Sequence, residues 1–295
     1  MSTKVPDAET ETETDAEQPA ESQGQSPQDK RMAEKARKKA FRDAQKQAED
    51  DLKAAEETYH LKVFRYDPEV EDKQEPRFDD FYVPYKKGMT VLDALMYARD
   101  HYDSSLTFRH SCRQAVCGSD AMFVNGRQRL CCKTQLSELS EPVRIEPLPH
   151  QDVEKDLVVD MEHFYDQMHA VEPYFQSENL PKEEQRQTRE NREKIKMSTR
   201  CIWCGACMSS CNIAAGDNEY LGPAAINKAY RFYMDEREDE EELKEHRLRI
   251  LEQEHGVWRC QTQFSCTEVC PKDIPLTEHI QELKREAVKQ NLKFW

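Results

Sequence analysis

Glycine, basic residues and long apolar runs are all scarce in this chain. Glycine occurs 8 times in 295 residues. No glycine-rich loop for a phosphate is present, and no nucleophile–base constellation stands out. No window approaches about 18 consecutive apolar residues, so no membrane span of the chain's own is expected. The N-terminus is acidic and has no apolar h-region, so no secretory signal is expected. Lys and Arg number 43 against 58 Asp and Glu, for a net charge of -15. That balance excludes phosphate-backbone binding, which needs clustered bases, so no nucleic-acid partner is expected. The same acidity suits a salt-tolerant surface. Apolar residues make up 37% of the chain, below the roughly 45–50% of ordinary globular sequences. Residues 1–30 explain part of the deficit: eight acids and two bases stand among repeated Thr, Gln, Ser and Pro. Such a segment buries too little apolar surface to offset ordering entropy, and it reads as disordered.

Cysteine is abundant, with 11 residues. Without a secretory signal a reducing compartment is expected, where such spacings mean metal sites rather than disulfides. Three bursts hold ten of the cysteines and one aspartate. The first is Cys112, Cys117, Asp120 and Cys132. The second is Cys201, Cys204, Cys207 and Cys211. The third is Cys260, Cys266 and Cys270, followed by Pro271. Thiolate is a soft ligand that suits iron and zinc. The first burst has plant-type [2Fe–2S] spacing, and the second has the run of two-cluster ferredoxins, whose fourth cysteine serves the other cluster.

The length allows about two domains. Residues 1–57 read as the acidic tail followed by one charged helix over 31–57, basic in its first half and acidic in its second. Residues 58–154 read as a small α+β domain. Tyr59, Leu61, Val63 and Arg65 alternate with their neighbours at strand period, and 78–85 supply a partner strand. Thr90 and Asp93 cap a helix that buries Val91, Leu92, Leu95 and Met96. Asn125-Gly126 predicts a type I′ hairpin returning the chain to Cys132. Val143 and Ile145 suggest a closing strand. Residues 155–295 read as helical, with an apolar stripe from Val158 to Val171. Residues 223–255 read as helix with an acidic surface from Asp235 to Glu245, and a last helix follows Pro275. Apolar runs there are short, so metal clusters must organise much of this half.

Cys112 and Cys117 can hold one iron from a single tight loop, with position 120 and Cys132 on the other. Gly118 lets the backbone pass close to the sulfides. Asp120 stands where the spacing expects cysteine. A carboxylate can ligate iron, but an aspartate in a loop also bonds backbone amides. Cys131 competes with Cys132 for the fourth place. Cys201, Cys204 and Cys207 leave a [4Fe–4S] cluster one ligand short, and Cys270 can supply it. Cys211 then belongs with Cys260 and Cys266. Gln263 stands between those two, where a further cysteine would complete a cubane. Three thiolates suit [3Fe–4S], whereas [4Fe–4S] would need a foreign ligand. Trp203, Trp258 and Phe264 read as packing that keeps water from the clusters, and His255 and His279 as surface histidines.

The strings SLTFRHSCRQAVCGSD, KDLVVD, CIWCGACMSSC, GPAAINKAYRF and CTEVCPK give the chain a family resemblance from about residue 59 to 290. It resembles the iron–sulfur subunits of succinate dehydrogenase and fumarate reductase. The resemblance implies a β-grasp plant-ferredoxin domain, then an all-α bacterial-ferredoxin-like domain. It implies [2Fe–2S] on Cys112, Cys117, Asp120 and Cys132, since some members carry aspartate at the third place, and it makes Cys131 a bystander. It also implies [4Fe–4S] on Cys201, Cys204, Cys207 and Cys270, and [3Fe–4S] on Cys211, Cys260 and Cys266. No residue is expected to perform bond-making chemistry.

In such a subunit electrons pass from the FAD of a flavoprotein partner through the clusters to quinone at a membrane anchor, with quinone beside the [3Fe–4S] centre. The chain is then peripheral, on the cytoplasmic or matrix-equivalent face. Asn212 after Cys211, the segment 213–216 without tryptophan, and Gln261 depart from the ubiquinone-type pattern and leave the quinone contacts outside the resemblance. Two alternatives stand beside this reading: fumarate reduction, the reverse net direction, and a metal-stabilised interaction module without redox function.

Overall fold

The computed structural model describes residues 27–71, 74–176, 182–238 and 240–293. The expected disorder of the N-terminal tail therefore falls largely outside the described residues. Two units are distinguished, residues 1–43 and 44–295. In the first, the described part is the start of α1 (Pro27–Ala54). Lys38 pairs with Glu34 one turn back at 2.6 Å, and both are solvated.

The second unit carries two hydrophobic cores. Around the first lie β1 (Thr58–Arg65), β2 (Arg77–Pro84), α2 (Val91–His101), β3 (Ala121–Val124), β4 (Arg127–Leu130) and β5 (Val143–Glu146). The strands form one mixed sheet in the order β2-β1-β5-β3-β4. Val143 and Ile145 thus sit in the middle of the sheet rather than closing its edge. β5 runs parallel to β1 and antiparallel to β3. Alternation in β1 turns Tyr59, Leu61, Val63 and Arg65 inward. α2 crosses this face and buries Val91, Leu92, Ala94, Leu95 and Ala98. Met96 only packs at the margin. The Thr90 hydroxyl accepts the Asp93 N–H, and the Asp93 carboxylate accepts the Thr90 N–H, so the predicted capping box is present. Asn125 and Gly126 have φ of 46° and 79°, as a type I′ turn requires.

Residues 155–161 are not helical. β6 (Val153–Lys155) and β7 (Val158–Val159) pair antiparallel, and the boundary expected after residue 154 falls inside this hairpin. Its turn has a structural reason. Asp156, with φ 47°, points its carboxylate back into the first core's edge. It accepts the Arg65 Nε–H at 3.0 Å, the Tyr66 N–H at 3.0 Å and the Thr107 N–H at 2.9 Å. A helix through Asp156 would lose all three bonds.

Beyond β7 every regular element among the described residues is helical. These are α3 (Glu162–Ala170), α4 (Arg189–Lys196), α5 (Ala206–Ser209), α6 (Asn212–Gly216), α7 (Gly222–Tyr233), α8 (Glu241–Leu251), α9 (Ser265–Glu268) and α10 (Leu276–Lys293). α7 is the axis of the second core. Its Ala224, Ile226, Ala229 and Tyr230 meet Phe164 and Met168 of α3 and Ile280 and Leu283 of α10. The span expected to be helical over 223–255 holds α7 and α8, with a break after Tyr233. The break carries acids that are not on the surface: Asp235 is 0% exposed and Glu238 1%. Glu238 takes a two-point bond from Arg247, at 2.8 and 3.1 Å. Asp235 pairs with Arg237 at 2.7 Å and Arg231 at 3.1 Å. Charge periodicity reads such acids as solvated, because buried pairs leave no mark in one strand of sequence.

Arg65 is the corresponding buried cation of the first core. Besides Asp156 it binds Asp103 at 2.7 Å and Asp79 at 3.2 Å. Burial works against the charge of Asp103, but bonds from Ser105 and Arg65 prevail and hold it down to about 2. Removing one partner of a buried network leaves charge uncompensated. Arg65→Leu is therefore expected to cost about 3–5 kcal/mol of stability, by the usual cost of breaking such a network. Urea unfolding followed by circular dichroism checks this, and a loss below about 1 kcal/mol would contradict it.

Candidate metal centres

Cys112, Cys117 and Asp120 of the first burst lie in the loop between α2 and β3, and Cys132 lies just past the end of β4. Arg113 and Ala115 take left-handed φ values of 57° and 54°, a region that residues with a Cβ seldom enter. The result is to turn amides inward. The N–H groups of Gln114, Val116 and Cys117 donate to Cys112 Sγ at 3.4, 3.4 and 3.3 Å. The Ala115 N–H donates to Cys132 Sγ at 3.3 Å. The three amides lower the Cys112 thiol to about 7. Burial, with the Asp120 carboxylate beside it, pushes Cys132 up to about 12.

Asp120 is 2% exposed, and its carboxylate accepts the Cys132 N–H. It faces Cys132 from across the loop, with its second oxygen outside that bond. Cys131 points the other way. It is 0% exposed within the first hydrophobic core, and burial pushes its thiol up. Adjacent residues past the end of β4 thus place one thiol in the core and one in the loop.

In the second core the same backbone device recurs twice. Trp203 and Gly205 have φ 58° and 76°, and Thr262 and Phe264 have φ 58° and 65°. In each of the three bursts two residues one apart are left-handed, and only Gly205 among the six is glycine. Cys201, Cys204, Cys207 and Cys270 line one cavity with Phe164, Trp203 and Leu276. Cys211, Cys260 and Cys266 line another with Tyr220, Gln263 and Thr277. The short helices α5 and α9 pack together and divide their cysteines between the cavities. Cys207 of α5 faces the first cavity, and Cys211 just beyond it faces the second. Cys266 of α9 faces the second, and Cys270 faces the first.

The donor set fits iron clusters. Burial pushes the thiols of Cys201, Cys207 and Cys266 up, and Cys204 up to about 12. Neighbouring sulfurs add to each shift. Such groups become thiolates only when positive charge enters the cavity they line, and iron brings that charge. The sulfurs line the walls of the two cavities.

The first and second loops touch. A Cβ built on Gly118 would lie 2.8 Å from both Cys204 Cβ and the Ile202 carbonyl oxygen. Gly118, with φ 74°, is the residue that lets them close. A Cβ on Gly205 would lie 2.9 Å from Met161 Cε, the free end of a flexible side chain that can shift.

Comparison with known proteins agrees with this geometry. A 2Fe-2S iron-sulfur cluster binding domain matches residues 60–166 and a 4Fe-4S dicluster domain matches 197–274. The fumarate reductase iron-sulfur subunit of Haemophilus influenzae is 39% identical over 243 residues, covering 78% of this chain and 93% of that protein. The succinate dehydrogenase iron-sulfur subunit of Paracoccus denitrificans is 39% identical over 229 residues, covering 77% and 86%. This chain belongs to the family of succinate dehydrogenase and fumarate reductase iron–sulfur subunits. A mitochondrial succinate dehydrogenase [ubiquinone] iron-sulfur subunit 1 of Oryza sativa is 38% identical, covering 79% of this chain and 83% of that one. A chain of the Mycobacterium smegmatis Sdh1 complex in the apo form superposes with a TM-score of 0.69 at 26% identity, covering 79% of this chain and 96% of its own. The family role is electron transfer within an oxidoreductase complex. No helix among the described residues is long and apolar enough to cross a membrane.

Two expectations need correction. Trp258 and Phe264 are 43% and 46% exposed, so of the three aromatics only Trp203 packs against the core. His279 is not on the surface. It stacks on Tyr230 at 4.0 Å and its Nδ1 meets Asn227 Oδ1 at 2.8 Å, and burial lowers it to about 4. His255 is half-exposed but tied, with Nδ1 3.0 Å from Asp217 and Nε2 2.9 Å from Glu219. The role of Gly118 as the contact with the second loop was also absent from the spacing, which pointed only to the sulfides. Its neighbour across the contact, Cys204, lies 86 residues further on in the sequence.

Gly118→Ala is expected to part the two loops, because neither a backbone carbonyl nor a Cβ can yield cheaply. The measurement is the magnetic coupling between the two reduced centres by electron paramagnetic resonance. Unchanged coupling in a folded variant would contradict the contact.

Proposed function

We propose that this chain is the electron-transfer subunit of a succinate dehydrogenase, passing electrons from the FAD of a flavoprotein subunit to membrane quinone. The observation that carries this is the line of three sulfur-lined sites, with the first loop closed on the second at Gly118 and the second and third sites sharing α5 and α9. When bound, the clusters take up and release single electrons. The chain's own residues hold, space and shield them.

Cys112, Cys117, Asp120 and Cys132 are the proposed [2Fe–2S] ligands, supported by the amides aimed at Cys112 and Cys132. Cys201, Cys204, Cys207 and Cys270 are the proposed [4Fe–4S] ligands, and Cys211, Cys260 and Cys266 the proposed [3Fe–4S] ligands. Gln263, exposed on the loop between two of them, occupies the place of an absent fourth thiol. The first domain is read as a β-grasp ferredoxin domain, which the mixed sheet crossed by α2 supports. The second is read as an all-α bacterial-ferredoxin-like domain, with the division between β7 and α3. A flavoprotein and membrane anchor subunits are the proposed partners, by likeness to relatives named for such enzymes. The chain is then peripheral, on the cytoplasmic or matrix-equivalent face, with quinone beside the three-thiolate site.

Iron, sulfide and electron paramagnetic resonance analysis of the purified complex tests the reading, and zinc in the sites would sink it. Succinate oxidation and fumarate reduction by the co-purified complex, compared directly, measure the net direction. Asp120→Cys is expected to keep a [2Fe–2S] centre, whereas Asp120→Ala weakens or loses it. An unchanged spectrum in the alanine variant would leave Asp120 only its bond to the Cys132 amide. Gln263→Cys is expected to convert the three-iron centre to a cubane and lower its potential. Two cubanes already present in the wild-type protein would overturn that assignment.

A further inference from the structure

Lys228 lies on α7, facing the loop of the second burst. Its Nζ sits 5.3 Å from the centre of the Trp203 ring, and Trp203 stands between Cys201 and Cys204 in the sequence. The side chain is partly buried. Among the described residues no carboxylate pairs with its ammonium; burial works against its charge, Arg231 adds to that, and the Cys201 sulfur favours it. The contrast with the rest of this core is sharp. Arg247 and Arg231 each have a carboxylate within 3.1 Å. A buried charge is retained where something compensates it. For Lys228 the ring face of Trp203 compensates part, and the sulfur of Cys201 would supply the rest once the site is filled and that sulfur is a thiolate.

We propose that Lys228 is a potential-setting residue for the four-thiolate site, stabilising the form of that site that carries the extra electron. This rests on the ligand set proposed above. One electron enters from the [2Fe–2S] side and one leaves toward the three-thiolate side. No bond forms and no proton moves. Each arrival makes the site more negative by one charge, and a fixed cation favours the more negative state over the less negative one. Trp203 is the positioning element, because its ring fixes where the flexible lysine stem places the charge. Burial makes the effect larger than the same charge would have in water.

The test uses the intact complex, poised at stepped potentials and read by electron paramagnetic resonance. Lys228→Met keeps the length and apolar stem and removes the charge. The expected result is a midpoint for the four-thiolate centre lowered by a tenfold or larger change in its reduction equilibrium, which is 59 mV for one electron. The other two centres should keep their midpoints. Lys228→Arg, which keeps the charge, should restore most of the shift. An unchanged midpoint in Lys228→Met, or an equal shift in all three centres, would overturn the proposal. If the methionine variant loses the centre, Lys228→Gln is titrated in its place and judged by the same two outcomes. Cys201→Ser separates the two levels of the reading. A four-thiolate spectrum unaltered by that change would refute the ligand set, whereas an unchanged midpoint with the ligand set upheld refutes Lys228 alone.

Discussion

A thiolate inside a protein must meet positive charge, and the second half of this chain is organised around that requirement. Burial, with neighbouring sulfurs adding to it, raises the thiols of Cys201, Cys204, Cys207 and Cys266. Their sulfurs line cavities instead of filling them, so the core is completed by what the cavities hold. The apolar core around them draws on α3, on nearly all of α7 and on α10, with Leu251 and Val257. The three loops that present sulfur are also held in unfavourable backbone. Five residues with a side chain sit at left-handed φ beside the cysteines, at about 1–3 kcal/mol each by the usual cost of such conformations. Amides aimed at sulfur, and iron drawn to the sulfur, are what offset that cost.

Two buried cations hold the frame on which these loops hang. Arg65 ties β1 to the segment entering the first burst and to the β6–β7 turn, through Asp103 and Asp156. Arg247 ties α8 to the α7–α8 connection through Glu238, and it also donates to the backbone carbonyls of Glu172 and Tyr174 beyond α3. Both pairs are nearly free of solvent. Surface pairs such as Lys38 with Glu34 contribute little, being solvated and screened. In the buried networks each missing partner would leave a bare charge in the core, so loss of one partner costs far more than the pair contributes.

Spacing grouped the cysteines into three bursts, and the family resemblance, not spacing, placed Asp120 among the expected ligands and chose Cys132 over Cys131. Strand alternation located β1, the Thr90–Asp93 box located the start of α2, and Asn125-Gly126 located the hairpin. These are local rules, and the residues that obey them are adjacent in the chain. The failures share the opposite property. The β6–β7 hairpin follows an apolar pattern that also suits a helix, and what decides against the helix is Asp156 reaching Arg65, 91 residues away. Asp235 and Glu238 look like surface acids until Arg231, Arg237 and Arg247 are folded around them. His279 looks like a polar residue on a helix until Tyr230 and Asn227 enclose it.

The sequence by itself determined the chemistry to look for: soft thiol ligands grouped at the spacings of iron–sulfur loops. Those are properties of residue type and of short separations. Tertiary structure alone decided how the sites meet. Gly118 against Cys204, Lys228 over Trp203, and the sharing of α5 and α9 between two cavities all join residues far apart in the chain. No period or propensity encodes such contacts, because they exist only once two independent segments have been packed against each other.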